Sequence, residues 1–398
     1  MKLLINKSSK IKQYLKTQVI IILLIFATVC FSQNSIIGGG CDGCELMYIG
    51  MPNNILATSY SPAWGSDGQK LLVTGKTLKT DGSPVAGVII YYWQTDNTGY
   101  YTPKDYLDDN VKRHGYIRGW VKSDSQGKYA IYSIKPKAYP NRDIAAHIHL
   151  SIKEAKIKNE YYVDNLVFNY DPLLTTAKRK KLENRGGSGI LRTLVSGDML
   201  IAEHNIILGL NIPNYPNTEV NQLQSGQKIG EDFHSITPFH AWGADAGKTT
   251  CPVCRYGRHF GIMYFVNEIE SQEVKDWLLY LEQLSHEYGK QLKVYLIYAD
   301  HENYSYSKRN KQLTELGKQL NLKHLALTFV PSFQDMSSDI YLSKINPEVK
   351  NTFIIYRNRN IINKFINLSA NQNDFQKIKR ILETNKSDYF DLPIDKSI

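Results

Sequence analysis

The stretch Y-P-N-R-D-I-A-A-H-I-H, residues 139–149, decides how this sequence is interpreted. Side chains alternate between the two faces of a β-strand, so His147 and His149 project from one face while Ile148 points to the other. Two imidazoles on one strand face supply half of a metal site. An isolated H-x-H is more often a pair of half-exposed histidines, so the residues around it must decide between these alternatives.

Two tyrosines complete the predicted ligand set. Tyr139 opens the same stretch, and Tyr101 ends the segment W-Q-T-D-N-T-G-Y-Y, residues 93–101; its position relative to the W-Q pair favours it over Tyr100 and Tyr106. A phenolate oxygen is a hard, anionic donor that suits trivalent iron, whereas cysteine or carboxylate partners would favour zinc or ferrous iron. The sequence therefore predicts an Fe(3+) site with four protein ligands: Tyr101, Tyr139, His147 and His149.

This ligand set, in this order, resembles that of the intradiol ring-cleavage dioxygenases, the protocatechuate and catechol dioxygenase family. Residues 75–94 look like the strand–turn–strand that opens the family's β-sandwich, and residues 118–136 look like the hairpin before the second tyrosine. D-P-L-L at 171–174 and R-G-G-S-G at 185–189 are similar to segments of secreted members. The resemblance covers residues 40–205 and implies a mainly β fold.

The resemblance also implies a reaction, in which O2 and ferric iron cleave a catechol-type aromatic substrate between its two hydroxylated carbons. It implies that Tyr139 leaves the metal and accepts a catechol proton while the other three ligands stay bound. Members that act on simple catechols usually carry an arginine three residues before the first histidine, where this chain has Ile144. Arg142 is the alternative catalytic cation, although strand alternation places it on the face opposite His147 unless Pro140 distorts the strand.

The length of the chain indicates two domains. A chain of 398 residues exceeds one typical core. Its net charge is +10, but the lysines are scattered and form no basic stripe with interleaved aromatics, so no nucleic-acid partner is predicted.

The N-terminus predicts export. A positive segment precedes an apolar run at Val19–Thr28, which is too short to span a membrane comfortably and predicts a signal peptide over 1–32. Lipidation at Cys30 and an uncleaved membrane anchor are the alternatives.

Export to the periplasm or the extracellular space would place the remaining cysteines in an oxidising compartment. They form two C-x-x-C pairs, Cys41/Cys44 and Cys251/Cys254, and close pairs in an oxidising compartment predict disulfides. The first pair lies in a glycine-rich arm at 33–60 and is predicted to be structural. For the second pair, thiol–disulfide catalysis and a zinc half-site with His259 are the alternatives.

The hydrophobic pattern divides the rest of the chain. Short apolar runs broken by turn residues predict the β-sandwich over 61–205, and an Asn-, Pro- and Gly-rich stretch predicts a linker over 206–240. Over 241–398 the predicted order is β-α-β followed by β-β-α, which resembles a thioredoxin-like α/β fold. Two departures argue against redox catalysis there: the C-P-V-C motif precedes the first core strand, and no proline directly precedes the strand at Thr352.

Three further histidines are predicted to have no metal. His234 and His240, at the end of the linker, are expected to pack between domains, and His114 is expected in a solvated loop, with the pocket mouth as the alternative. The sequence thus predicts a ferric dioxygenase. The alternatives are a non-catalytic module that binds iron and catechols, and a thiol–disulfide oxidoreductase. Substrate identity and homo-oligomer formation are left open.

Overall fold

The computed structural model describes residues 36–216 and 223–396. The predicted signal peptide, including Cys30, lies outside these residues. Within the two described ranges, none of the helices has the length and apolar character needed to cross a membrane.

Strands in the described ranges form three sheets, each of six strands. Their bounds are β1 Thr58–Tyr60, β2 Lys70–Leu78, β3 Ile89–Gln94, β4 Arg118–Lys122, β5 Lys128–Ile134, β6 His147–Lys153, β7 Tyr161–Tyr162, β8 Leu166–Phe168, β9 Ile190–Leu191, β10 Leu194–Ser196, β11 Met199–Glu203, β12 Ile206–Ile207, β13 Phe239–Trp242, β14 Phe260–Val266, β15 Leu292–Tyr298, β16 Leu325–Phe329, β17 Asn351–Arg357 and β18 Asn360–Ile366. The α-helices are α1 Thr176–Arg179, α2 Pro252–Tyr256, α3 Gln272–Tyr288, α4 Tyr306–Gln319 and α5 Gln372–Thr384. Short 3-10 turns cover Cys44–Tyr48, Asp109–His114, Gly289–Gln291 and Ile340–Ser343.

Two of the sheets face each other and enclose one core. The first has the order β1-β5-β2-β11-β10, with β12 beside β2, and the second has the order β4-β3-β6-β8-β9, with β7 beside β6. The core between them is apolar because one face of each strand is apolar; its members include Leu71, Val73, Ile131, Ile90, Ile148 and Leu150. The β-rich first half that the sequence predicts is confirmed.

Strand β6 alternates as predicted. Ile148 and Leu150 enter the core, so His147 and His149 lie on the outer face of the second sheet. The strand begins at His147, and Asn141 before it has a φ of +62°. Alternation therefore does not extend back to Arg142, which matches the alternative that the strand is distorted near Pro140.

The sandwich extends further along the chain than predicted. Ile206 and Ile207 pair in parallel with the end of β2, and Leu208 and Ile212 join its core, so the start of the predicted linker belongs to the sandwich. On the far side, residues from 223 onwards pack on the C-terminal region, where Phe233 is buried. These apolar positions lie among turn-forming residues, so the composition of the segment did not indicate that they are buried.

The third sheet forms the C-terminal region, residues 223–396. Its order is β13-β16-β15-β14-β17-β18; β14, β15 and β16 run parallel, and β17 and β18 form an antiparallel hairpin. Helix α3 begins at the Ser271 cap, whose hydroxyl accepts a hydrogen bond from the Val274 amide, and its apolar stripe packs on the sheet. The short helix α2, which was not predicted, begins within the C-P-V-C segment, and the segment precedes β14 as the sequence indicates.

The two regions are joined by polar contacts and by the end of the described chain. Arg357 pairs with Glu203, and Arg192 pairs with Asp232 at 2.7 Å. Residues 393–395 run beside β10: the amide of Val195 donates to the carbonyl of residue 393 at 2.8 Å, and the amide of residue 395 donates to the carbonyl of residue 193 at 2.9 Å. The C-terminal segment therefore covers an edge of the first sheet.

A buried histidine in the sandwich predicts a pH-dependent stability. His204 is buried beside the Tyr129 hydroxyl, and burial lowers its pKa to about 4. Between that value and about 6.5 the unfolded chain binds a proton that the folded chain does not, so stability rises with pH in this window and is lost as pH falls. As the pH falls through this window, we expect protonation of this group to lower the free energy of unfolding by up to about 1.4 kcal/mol per pH unit. Guanidinium denaturation at pH 7.5 and pH 5 measures it, with His204→Gln as the comparison; an identical pH dependence in that variant would contradict the assignment.

Candidate metal centre

Four donor atoms form a closed ring on the outer face of the second sheet. The Tyr101 Oη lies 2.7 Å from the Tyr139 Oη, which lies 3.2 Å from the His147 Nε2. The His147 Nε2 lies 3.1 Å from the His149 Nε2, which in turn lies 2.8 Å from the Tyr101 Oη. The structure therefore brings together all four residues that the sequence predicts as ligands.

Two loops bring the tyrosines to the histidine strand. The carboxylate of Asp96 accepts hydrogen bonds from the backbone amides of Thr98 and Tyr100, which fixes the turn before Tyr101. Gly99 has a φ of +92°, and a side chain there would collide with the Ala138 carbonyl in the loop that carries Tyr139. Only glycine permits this close approach of the two loops.

The hydrogen bonds of the imidazoles show that the ring of four donor atoms contains too few hydrogens to make all four of its contacts hydrogen bonds. The Nδ1 of His147 donates to the Ala145 carbonyl at 2.8 Å, and the Nδ1 of His149 donates to the Asn165 Oδ1 at 3.0 Å. Each neutral imidazole has one N–H, so both Nε2 atoms present lone pairs to the ring. The two hydroxyl hydrogens can then satisfy only two of the four contacts, and the two Nε2 atoms face each other without a proton. A cation at the centre would remove this conflict.

Burial shifts the pKa values of three of the four side chains, His147, His149 and Tyr101. It lowers the pKa of His147, and lowers that of His149 to about 3, so both remain neutral ligands at physiological pH. Burial also raises the pKa of Tyr101, and the hydrogen bond with Tyr139 raises it further. The Tyr101 phenol therefore keeps its proton until a bound cation displaces it.

The donor set fits a ferric ion. Ligands about 2.0–2.2 Å from one metal lie roughly 2.8–3.6 Å from each other, close to the spacing of the ring. Two phenolic oxygens are hard donors that favour a trivalent ion over the softer divalent metals. No group of three or more His, Cys, Asp and Glu side chains with metal-binding geometry occurs in the described residues. His147 and His149 therefore need the tyrosines to complete a site.

Two clefts adjoin the donor ring. The larger has a volume of about 650 Å³ and is lined by Trp93, Tyr101, Arg113, His114, Tyr139, His149, Asn165 and Lys181, among others. The smaller, of about 460 Å³, is lined by Tyr139, Arg142, Ile144, His147, His149 and Leu182, among others. Tyr139 and His149 line both, so a planar ligand can approach the donor ring from either cleft.

Arg142 lies in the loop before the histidine strand. Its guanidinium carbon is 5.9 Å from the centre of the Tyr139 ring, at the wall of the smaller cleft. Ile144, at the position where the resemblance predicts an arginine, is 42% exposed. Arg142 therefore places a positive charge beside Tyr139, although it lies two residues earlier in the sequence than the expected arginine.

His114 corrects a prediction. It was expected in a solvated loop, but it is only 4% exposed and lines the larger cleft. Its ring stacks on Trp93, and its Nδ1 lies 2.9 Å from the Tyr91 Oη. The polar segment K-R-H-G gave no sign of this burial, which depends on aromatic partners from strand β3.

Sequence reasoning also missed two residues that orient the ligands. Asn165 accepts the Nδ1–H of His149, and Asp171 accepts the backbone amide of Ala146 at 2.8 Å, which fixes the entry into β6. Asp171 belongs to the D-P-L-L segment and so had a signal in the sequence. Asn165 had none, because only the pairing of β6 with β8 brings it near His149.

The Asn165 contact leads to a prediction about metal affinity. Asn165→Ala should leave the His149 imidazole without its outer partner and weaken iron binding by about 10- to 100-fold. Asn165→Asp keeps an acceptor at nearly the same place and should retain binding. Competition with a ferric chelator measures both; equal affinities for the alanine variant and the wild type would contradict the assigned role.

The cysteines and remaining histidines lie as follows. Cys41 is joined to Cys44 beside the larger cleft, and Cys251 is joined to Cys254 in the C-terminal region. The Nδ1 of His259 contacts the Tyr256 carbonyl at 3.2 Å, and no further ligand for the zinc alternative is found within the described ranges. Of the two histidines expected to pack between domains, His234 is half-buried and His240 is buried within β13.

Comparisons with known proteins relate part of the sandwich to dioxygenases. Residues 61–182 match the family model described as Dioxygenase. The chain is 29% identical over 155 residues to the protocatechuate 3,4-dioxygenase beta chain of Burkholderia cepacia, over 35% of this chain and 65% of that protein. It is 38% identical over 76 residues to hydroxyquinol 1,2-dioxygenase of Rhizobium sp. (strain MTP-10005), over 19% of this chain and 25% of that protein. Among solved structures, hydroxyquinol 1,2-dioxygenase from Pseudomonas putida DLL-E4 is 23% identical with a TM-score of 0.30, over 40% of this chain and 61% of that one.

Residues 61–182, which include all four donors, are therefore similar to a family of dioxygenases. The chain spans less than two thirds of the length of these curated relatives.

Proposed function

We propose that this protein is a non-haem ferric dioxygenase that cleaves a catechol-type ring between its two hydroxylated carbons with O2. The observation that carries the proposal is the closed ring of two phenol oxygens and two imidazole nitrogens, which lacks the protons to satisfy itself. Homology to dioxygenases over the same segment supports it. Tyr101, Tyr139, His147 and His149 would hold the ion.

The chain's own residues divide the remaining work. A bound ferric ion would supply a site that chelates the catechol and makes its ring reactive towards O2. Tyr139 is the proton acceptor for one catechol hydroxyl, because its Oη lies in the donor ring while its side chain lines both clefts and so has space to swing away. Arg142, beside the Tyr139 ring, supplies positive charge near the catecholate.

A non-catalytic iron and catechol binder is the second candidate. It is favoured by Ile144, which stands where simple catechol dioxygenases usually have arginine, and by the wide clefts. A binder would form the same ferric complex without consuming O2. Thiol–disulfide exchange at Cys251/Cys254 is the less favoured alternative, because the pair precedes strand β14 rather than following it.

Two further proposals concern the rest of the chain. The C-terminal region is a thioredoxin-like domain, supported by the order β18-β17-β14-β15 with α3 between β14 and β15. The mature protein is exported, supported by the positive and apolar pattern of residues 1–32.

A visible absorption spectrum, recorded before and after a catechol is added under air, tests the proposal. We expect a tyrosinate-to-iron charge-transfer band that shifts on addition and then decays as O2 is consumed in equal amount. A band that shifts without decay would establish the binder instead. A protein that stays colourless after ferric reconstitution would overturn the ferric site.

A further inference from the structure

We infer that the disulfide-closed loop Cys41–Cys44 is part of the metal centre, because it holds His114, which positions the ligand His149 through Trp93. The inference rests on the proposed ferric site. His114 and Trp93 do not belong to the donor ring, so they are positioning residues rather than ligands.

Trp93 fixes the plane of the His149 ring. The register of β3 and β6 places Trp93 directly opposite His149, and the two rings stack with centroids 4.7 Å apart and an interplanar angle of 12°. The direction in which Nε2 points depends on the rotation of the imidazole about its own side-chain bonds. The hydrogen bond to Asn165 restrains one edge of the ring, and the flat indole restrains its plane.

His114 closes the stack on the other side. Its ring lies on Trp93 with centroids 4.2 Å apart and an interplanar angle of 4°, so the indole is held between two imidazoles. The position of His114 is fixed by the Tyr91 hydroxyl, 2.9 Å from its Nδ1. Trp93 therefore cannot tilt away from His149 unless His114 also moves.

Gly43 supports His114 from the outside. It has a φ of +89°, and a Cβ at this residue would lie 2.8 Å from the His114 Nε2. The contact is therefore a close approach of backbone to ring that a glycine permits. Gly43 lies within the ring closed by Cys41 and Cys44, and the Arg113–Asp42 ion pair at 2.8 Å ties the same loop to the turn that ends at His114.

The disulfide limits the conformations of this loop. Cys44 is buried, whereas Cys41 lines the larger cleft, so the bridge joins a fixed point to the cleft wall. Without the bridge, the glycine-rich segment gains backbone freedom and the support of His114 weakens. The consequence at the metal is a looser His149, which lowers iron retention and alters the electronic environment of the ion.

The chain supplies its own matched control in the second C-x-x-C pair, which lies in the C-terminal region. The test uses the full chain with iron, comparing Cys41→Ser/Cys44→Ser with Cys251→Ser/Cys254→Ser. We expect the first double variant to lose iron to a chelator about 10-fold faster than the wild type and to shift the charge-transfer band. The second double variant should match the wild type in both measurements.

Variants of His114 test the same stack without changing the cysteines. His114→Ala should reproduce the faster iron loss and the band shift, and His114→Phe, which restores a flat ring, should recover most of both. Iron loss and a band position in Cys41→Ser/Cys44→Ser and in His114→Ala that match the wild type would overturn the inference while leaving the ferric site intact. A wild-type protein without any ferric band would overturn both proposals, so the two failures are distinguishable.

Discussion

Tyr101→Phe is expected to lose its bound iron, and with it the ferric charge-transfer band. Catechol-dependent O2 consumption should fall by more than ~100-fold, the largest loss of affinity expected from removing a contact to a ligand rather than a ligand itself. The variant removes one oxygen from the donor ring and leaves the aromatic ring in place. His149 then loses its 2.8 Å contact with that oxygen, and the centre keeps a single phenolic donor. Because phenolates offset the charge of a buried trivalent ion, the ion loses both a ligand and part of its neutralisation.

The neighbouring tyrosine provides the control. Tyr100→Phe removes an equivalent hydroxyl from a side chain that is 58% exposed and is not part of the donor ring. It should keep the band, the iron content and the turnover. Iron analysis and oxygen-electrode rates measure both variants. If the two gave the same spectrum and rate as the wild type, Tyr101 would not be a ligand, and the sequence register that selected it would be wrong.

Trp277→Ala is expected to cause the largest loss of stability, about 3–5 kcal/mol. The indole is completely buried in the core between α3 and the third sheet, where it contacts the rings of Phe353 and Phe375 at centroid distances of 4.5 and 4.8 Å. Its Nε1 has no hydrogen-bond partner within the described residues, so no polar contact is lost with it. The cost arises from the cavity and from lost apolar burial.

Leu279→Ala on the same helix is the matched control. This leucine is 47% exposed, so its truncation should change the free energy of unfolding by no more than about 0.5 kcal/mol. Guanidinium denaturation followed by near-ultraviolet circular dichroism distinguishes the two. The charge-transfer band should disappear in the same transition, because Arg357 and Glu203 and the C-terminal segment join the two regions. Equal midpoints for the two alanine variants would contradict the assigned packing.

The donor ring could be predicted from sequence because its signals are local. Alternation along one strand placed His147 and His149 together, and the chemistry of phenols and imidazoles selected the metal. In the C-terminal region, periodicity predicted the β-α-β order formed by β14, α3 and β15 and the β-β-α order formed by β17, β18 and α5. It missed β13, β16 and the short helix α2. Both cases depend on patterns within short segments.

The surroundings of the ring could not be predicted because they depend on which strands pair. Trp93 reaches His149 only through the register of β3 and β6, and Asn165 reaches it only through the pairing of β6 with β8. His114 is buried in a polar segment because Trp93 and Tyr91 supply a flat surface and a hydroxyl from another part of the chain. Parallel pairing with a distant strand likewise draws β12 into the sandwich from a segment that looks like a linker.

The contact of residues 393–395 with β10 has a consequence for biosynthesis. The strand Leu194–Ser196 is made about two hundred residues before the segment that covers its edge. During synthesis and any passage across a membrane, the first sheet therefore exposes unpaired backbone groups at an edge where another chain could add a strand. The time between the emergence of these two segments is a window for intermolecular association. A tag or truncation that disturbs the later segment would extend that window indefinitely, so yield and aggregation during expression should depend on a part of the chain remote from the metal centre.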